Sequence, residues 1–238
     1  ATKKRLLDRA QADIADISDK VRPILDAVRD EGDKALLDFA RKFDKADLAS
    51  LKVTDDEFAA ARRSIDPKMK ATLERCIANV RKFHEEQMRR VEEPWMVEIE
   101  PGVFAGEKVT PITSVGLYVP GGKNLFPSSV YMLAVPAVVA KVPEIVICTP
   151  PRSDGSVSDV ILVAAELSGV KDVYKVGGAQ AIAAMAYGTQ TIPRVHKVLG
   201  PCSPFGAAAK QMVGGLINPG MPAGPSEAII LCDDSADP

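Results

Sequence analysis

Two rhythms of apolar residues divide the chain. Over residues 19–43, Val21, Ile24, Leu25 and Val28, then Ala35, Leu36, Phe39 and Phe43, recur at three- and four-residue spacing. That spacing predicts two amphipathic helices, broken at Glu31-Gly32-Asp33 with Asp33 as the N-cap of the second. Thr54-Asp55-Asp56-Glu57 has the form of a capping box, because Glu57 stands three residues after Thr54. It predicts a helix over residues 58–64, and Pro67 opens another that runs to about residue 91. The long helix is rich in Arg, Lys and Glu, which reads as a solvated face carrying His84. Met96-Val97-Glu98-Ile99-Glu100 then alternates with period two and turns at Pro101-Gly102, predicting a half-buried hairpin with residues 103–109.

From Pro111 onward charges thin out and Gly, Pro, Ala and Val dominate. Strands are predicted at residues 115–119, 144–148, 173–176, 195–199 and 228–232. Helices are predicted from Ser128 or Ser129 to about residue 140, over 156–168, from 179 to Gly188, and over 204–213. Short apolar strands, each followed by a helix of ten or so residues, call for a parallel sheet with right-handed crossovers. The fold class expected is α/β: an N-terminal helical segment with a short β-hairpin (residues 1–110), then a Rossmann-like domain (111–238) with helices on both faces of the sheet.

In such sheets ligands bind beyond the carboxyl ends of the strands. Those ends carry Tyr118-Val119-Pro120-Gly121-Gly122, Thr149-Pro150-Pro151, Gly177-Gly178-Ala179-Gln180 and Gly200-Pro201-Cys202-Ser203. The third is the most suggestive. A Gly-Gly turn runs directly into an Ala-rich helix, whose N-terminus suits an anion and whose first turn holds Gln180. The same stretch also fits a tight turn in an ordinary α/β core. No GxGxxG fingerprint follows any strand, so a standard dinucleotide motif is absent.

Composition narrows the classes. The 238 residues are 46% hydrophobic and 26% charged, with a net charge of −2, which fits a globular chain and gives no footprint for nucleic acid or a membrane surface. No apolar run approaches the ~18 residues of a membrane span. The four cysteines (Cys76, Cys148, Cys202 and Cys232) lie far apart, without a CxxC pair, as expected of a reducing cytoplasm. The two histidines, His84 and His196, offer no ligand spacing with them. Cys202 has no readable His and Asp or Asn partners for nucleophilic catalysis.

Four segments taken together resemble the histidinol dehydrogenase family. They are Val115-Gly116-Leu117-Tyr118-Val119-Pro120-Gly121-Gly122, Phe126-Pro127-Ser128-Ser129-Val130, Gly177-Gly178-Ala179-Gln180-Ala181-Ile182-Ala183-Ala184 and Pro222-Ala223-Gly224-Pro225-Ser226-Glu227. Residues 21–43 fit the family's N-terminal helices. The resemblance implies NAD-dependent, zinc-assisted oxidation of L-histidinol to L-histidine, in two hydride transfers through an aldehyde. It implies NAD contacts at Tyr118 and Gln180 and a substrate contact at Ser226. It also implies a homodimer with a shared active site.

Two departures qualify this expectation. Where the family has G-P-G-N, this chain has Gly200-Pro201-Cys202-Ser203. Ser203 becomes the candidate cofactor contact, although a hydroxyl lacks the paired geometry of an amide. The change also points to a paralogue that oxidises another small polar alcohol. The family's zinc ligands and its Glu-His proton-transfer pair lie beyond the AGPSE segment. They are therefore expected after Pro238, in a longer protein of which this is the N-terminal half. No catalytic or metal-ligating residue is assigned within residues 1–238, and the isolated chain is expected to be inactive. A non-catalytic binding module is the reading from another class.

Overall fold

The computed structural model describes residues 12–91, 93–121, 125–221 and 229–236. Helix α1 (Ala12–Glu31) and helix α2 (Asp33–Phe39) meet at Gly32, and α2 runs into a π-helical turn, Ala40–Asp44. Asp33 is the first residue of α2 and not its cap. Gly32 takes the cap position, and the Asp33 carboxylate instead accepts hydrogen bonds from the Thr191 backbone N–H and hydroxyl. Helix α3 (Asp55–Ser64) starts on the expected capping box: the Glu57 N–H donates to Thr54 Oγ1 and the Thr54 N–H to Glu57 Oε2. Helix α4 (Pro67–Arg89) has Pro67 in its first turn.

The hairpin forms as β1 (Trp95–Glu100) and β2 (Val103–Glu107), antiparallel. The expectation of half-burial fails, since every residue of both strands is exposed. Alternation here marks an apolar face without marking what covers it.

The main sheet holds β3 (Ser114–Tyr118), β4 (Glu144–Thr149), β5 (Val173–Lys175) and β6 (Lys197–Leu199), all parallel, in the order β5-β4-β3-β6. Helices α5 (Pro127–Val139), α6 (Asp159–Ser168), α7 (Gly178–Tyr187) and α8 (Pro204–Met212) alternate with these strands. Helix α5 is capped by neither serine: Phe126 precedes it and Pro127 occupies its first turn, where a missing N–H costs nothing. Of the strand expected over 228–232, residues 229–232 are described, and they lie outside any strand with Ile229, Ile230 and Leu231 almost fully exposed.

Both faces of the sheet are covered. Val115, Leu117, Val119, Ile147 and Val173 share a core with α3, α4, α5 and α6. Tyr118, Val146, Cys148, Tyr174 and Val198 share the other with α1, α2, α7 and α8. The period-two alternation of each strand divides its side chains between these layers. The helices of the first 91 residues thus build the same two cores as the sheet. Helix α7 is buried along its length, and its alanines let α1 and α8 pack closely on it. Residues 51–53 cover the β5 edge, with the Val53 N–H on Val173 O at 2.9 Å and the Lys175 N–H on Leu51 O at 2.7 Å. Asn218 covers the β6 edge through Val198 and His196.

Candidate functional site

The strand order runs from β3 through β4 to β5 on one side and places β6 on the other. The direction of winding therefore reverses between β3 and β6. A crevice beyond the carboxyl ends of those two strands is where an open α/β sheet accepts a ligand.

Tyr118 closes β3 at this crevice and is buried. Its hydroxyl oxygen accepts the Gly178 N–H at 3.1 Å, joining the end of β3 to the start of α7. The phenolic proton remains available to a ligand acceptor. Burial pushes the Tyr118 phenol above its usual range, the Gly178 N–H opposes this, and the neighbouring Cys202, Cys148 and Asp44 add smaller upward pushes. The group is therefore a neutral donor at physiological pH. Gly178 has φ of +61°, which a residue with a side chain rarely adopts. The Gln180 carboxamide folds back over it: a Cβ at position 178 would stand 2.6 Å from Gln180 Oε1. Gln180 is 4% exposed, and its amide makes no hydrogen bond among the described residues. No buried side-chain nitrogen or oxygen lacks a partner among the described residues, so the unbonded Gln180 amide keeps solvent access at its tip, which suits a ligand contact.

Across the crevice, Ser203 is exposed at the N-cap of α8, and its hydroxyl does not cap the helix. Cys202 beside it is among the electrostatic neighbours of Tyr118. The structure thus joins Tyr118 and Gln180 through Gly178 and sets Ser203 at the facing helix start. Ser226 lies outside the described residues. The expectation of an anion at the α7 N-terminus is weakened, because Tyr118 already takes the Gly178 amide.

One ring holds three of the strand-end loops together. A Cβ at Gly121 would lie 2.7 Å from Pro150 Cγ, and a Cβ at Gly177 would lie 2.5 Å from Pro150 Cβ. Glycine is needed at both positions because the proline fills the space between the loops after β3 and β5.

Several groups near the site carry no sequence periodicity. Asp44 ends the π-helical turn after α2, has no hydrogen-bond or ion-pair partner among the described residues, and is pushed up to about 6 by burial. Lys210 on α8 donates to Gly200 O at 2.7 Å, and burial lowers its ammonium. Burial raises the Cys202 thiol, with Lys210 opposing, so nothing in its surroundings makes it a ready nucleophile. Lys175, at the end of β5, is nearly buried and pairs with Glu57 at 2.6 Å. Burial pushes Glu57 up, but hydrogen bonds from Lys175 and Thr54 outweigh it and hold the carboxyl below its usual range. A clear sequence signal existed only for Glu57, as the third residue of a capping box.

Among the described residues no group of three or more His, Cys, Asp or Glu is placed to hold a metal ion. The residues described do not fit a zinc ion. His196 lies at the opposite edge of the sheet, where its ring Nδ1 meets Thr113 Oγ1 at 2.8 Å and Ser114 Oγ at 2.9 Å, tying the amino ends of β3 and β6. His84 sits on α4 against Gln87. No helix among the described residues is long and apolar enough to cross a membrane.

Comparison with known proteins agrees with this frame. The family model for histidinol dehydrogenase matches residues 7–238. A histidinol dehydrogenase homolog of Rhizobium meliloti is 54% identical over 98% of this chain and 51% of its own length. A histidinol dehydrogenase of Synechocystis is 49% identical over 91% of this chain and 50% of its own length. The crystal structure of histidinol dehydrogenase from Elizabethkingia anophelis superposes with a TM-score of 0.83 at 37% identity, over 87% of this chain and 48% of that one. The chain spans about half the length of these relatives, and across that span it belongs to the histidinol dehydrogenase family.

Proposed function

We propose that residues 1–238 form the cofactor-holding half of an NAD-dependent dehydrogenase that oxidises a small amino alcohol, L-histidinol in the first instance. The observation that carries this reading is the junction at the sheet's switch point. There the Tyr118 hydroxyl is held by the Gly178 N–H, over which the Gln180 amide folds without a hydrogen bond among the described residues. Tyr118 would donate its free proton to the cofactor, Gln180 would offer its amide from the first turn of α7, and Ser203 would add a hydroxyl from α8. NAD bound there supplies the hydride acceptor. The chain's own part is to orient that acceptor and keep water from one side of it. Ser226 would meet the substrate. Zinc ligands and proton-transfer groups would come from sequence beyond Pro238, in a cytoplasmic homodimer.

A paralogue acting on another small polar alcohol is the second reading. Two observations favour it: Cys202-Ser203 stands where the family has Gly-Asn, and relatives named histidinol dehydrogenase homolog range from 54% to 49% identity while those named histidinol dehydrogenase range from 49% to 44%.

Calorimetric titration of NAD into the native chain and into Tyr118→Phe and Gln180→Ala tests the shelf. Each substitution is expected to weaken binding about three- to thirtyfold, as loss of one or two hydrogen bonds does. Unchanged affinity in both would overturn the assignment. Assay of the longer protein with L-histidinol, NAD and zinc separates the two readings: histidine formation supports the first, its absence the second.

A further inference from the structure

A second opening lies on the same edge of the sheet, with Gly121 and Pro150 in its lining. It is a cleft of about 390 Å³ between the loop after β3 and the loop joining β4 to α6, with Thr149, Arg152, Asp154 and Ser158 among its lining residues. Thr149 is 2% exposed and Ser158 5% exposed, yet neither hydroxyl has a hydrogen-bond partner among the described residues. Ser158 is the N-cap of the ten-residue helix α6 and does not cap it with its side chain. The first amides of α6, those of Asp159 and Val160, likewise have no partner, whereas the Ile161 and Leu162 amides turn back to Ser158 O. No buried side-chain oxygen lacks a partner among the described residues, so these two unbonded hydroxyls keep solvent access although their residues are nearly buried, and a helix N-terminus offers backbone donors to an anion.

We infer that this cleft is a phosphate subsite, in which the α6 N-terminal amides and the Thr149 and Ser158 hydroxyls donate to a phosphoryl group with Arg152 at the rim. Asp154 shares the lining, but its Oδ1 is already occupied by the Ser156 N–H at 2.9 Å and the Ser156 hydroxyl at 2.6 Å. Arg152 opposes its charge from the same loop. The inference does not depend on the dinucleotide reading. The phosphate can arrive as part of a nucleotide that also reaches the Tyr118–Gln180 shelf across Pro150, or as free phosphate.

The test is an amide-resolved NMR titration of the native chain with inorganic phosphate, 5′-AMP and adenosine. It is repeated on the double variant Thr149→Val, Ser158→Ala and on the rim variant Arg152→Ala. Because Ser158 makes no capping bond, the double variant is expected to keep its thermal midpoint. Phosphate and 5′-AMP should shift the Asp159 and Val160 amides, and the double variant should bind about tenfold or more weakly. Tighter binding of 5′-AMP than of phosphate identifies a nucleotide as the source, and equal binding identifies the free anion. Adenosine should leave these amides unmoved. The inference is overturned if millimolar phosphate and 5′-AMP leave them in place, or if the variants bind as the native chain does. Weakened NAD binding in Tyr118→Phe with phosphate binding intact separates the shelf from the cleft.

Discussion

Every residue from Ala179 to Ala186 in α7 is buried, whereas every residue of the β1–β2 hairpin is exposed. Both stretches are strongly apolar, and each forms the local element its pattern predicts. They differ in what surrounds them. Helix α7 sits between α1, α8 and the sheet, and its small side chains allow that approach. The hairpin pairs with itself and leaves Trp95, Val97 and Ile99 exposed. A two-stranded ribbon gains little alone, and an apolar face of this size on a surface usually marks a contact. Periodicity thus encodes the element and its apolar face, while the partner that buries the face comes from distant sequence.

The largest expected effect tests the buried side of this contrast. Ile182→Ala, at a fully buried position of α7, should cost about 2–5 kcal/mol in urea unfolding. A cost near zero would show that α7 does not sit in a packed core.

Lys175→Met comes next, with an expected loss of about 1–3 kcal/mol at neutral pH, because it strands the Glu57 carboxylate in a partly buried place. Since folding lowers the Glu57 carboxyl, the ion pair's contribution is present above the unfolded carboxylate range and is lost as pH falls through the folded value. The difference between native and variant should therefore shrink in acid. A pH-independent gap would point to packing instead of charge.

Asp44 occupies an intermediate position between the two regions, partly buried and without a partner among the described residues. Its folded carboxyl is raised to about 6, so the native state binds the proton more tightly than the unfolded chain. Stability then falls as pH rises from the unfolded value through about 6, and stays at the lower level above it. Asp44→Asn should raise the melting temperature at neutral pH, with the gain vanishing in acid. A destabilised variant would mean that the charged form is held by a partner.

The smallest effect belongs to the hairpin. Ile99→Ala should change the stability of the chain by no more than about 0.5 kcal/mol. A loss as large as that at Ile182 would break the contrast outright, by showing that the hairpin is covered in solution.

These differences also show why some of the molecule was readable before any coordinates. The capping box at Thr54 and Glu57 is a contact over three residues, and the strand–helix alternation from β3 to α8 needs only local rhythm and turn chemistry. Both appear as expected. Helix starts were less secure, because Phe126 before Pro127 outcompetes two good cap residues, and Gly32 outcompetes Asp33. The strand expected near Ile229 to Leu231 had the right composition, but no strand among the described residues pairs with it. The placement of Tyr118 and Gln180 on one edge follows from strand ends alone, but the bond through Gly178 spans 60 residues. Likewise, the Lys175–Glu57 pair, the unpartnered Asp44 and the free hydroxyls of Thr149 and Ser158 arise from tertiary packing, and no periodicity announces them.

The proline wedged between Gly121 and Gly177 has a kinetic consequence. Loops that share one filled contact move together or not at all, so the edge of the sheet meets an arriving molecule already shaped. Encounter should then be quick and similar for chemically different visitors. What separates a good ligand from a poor one at this edge is how long it stays.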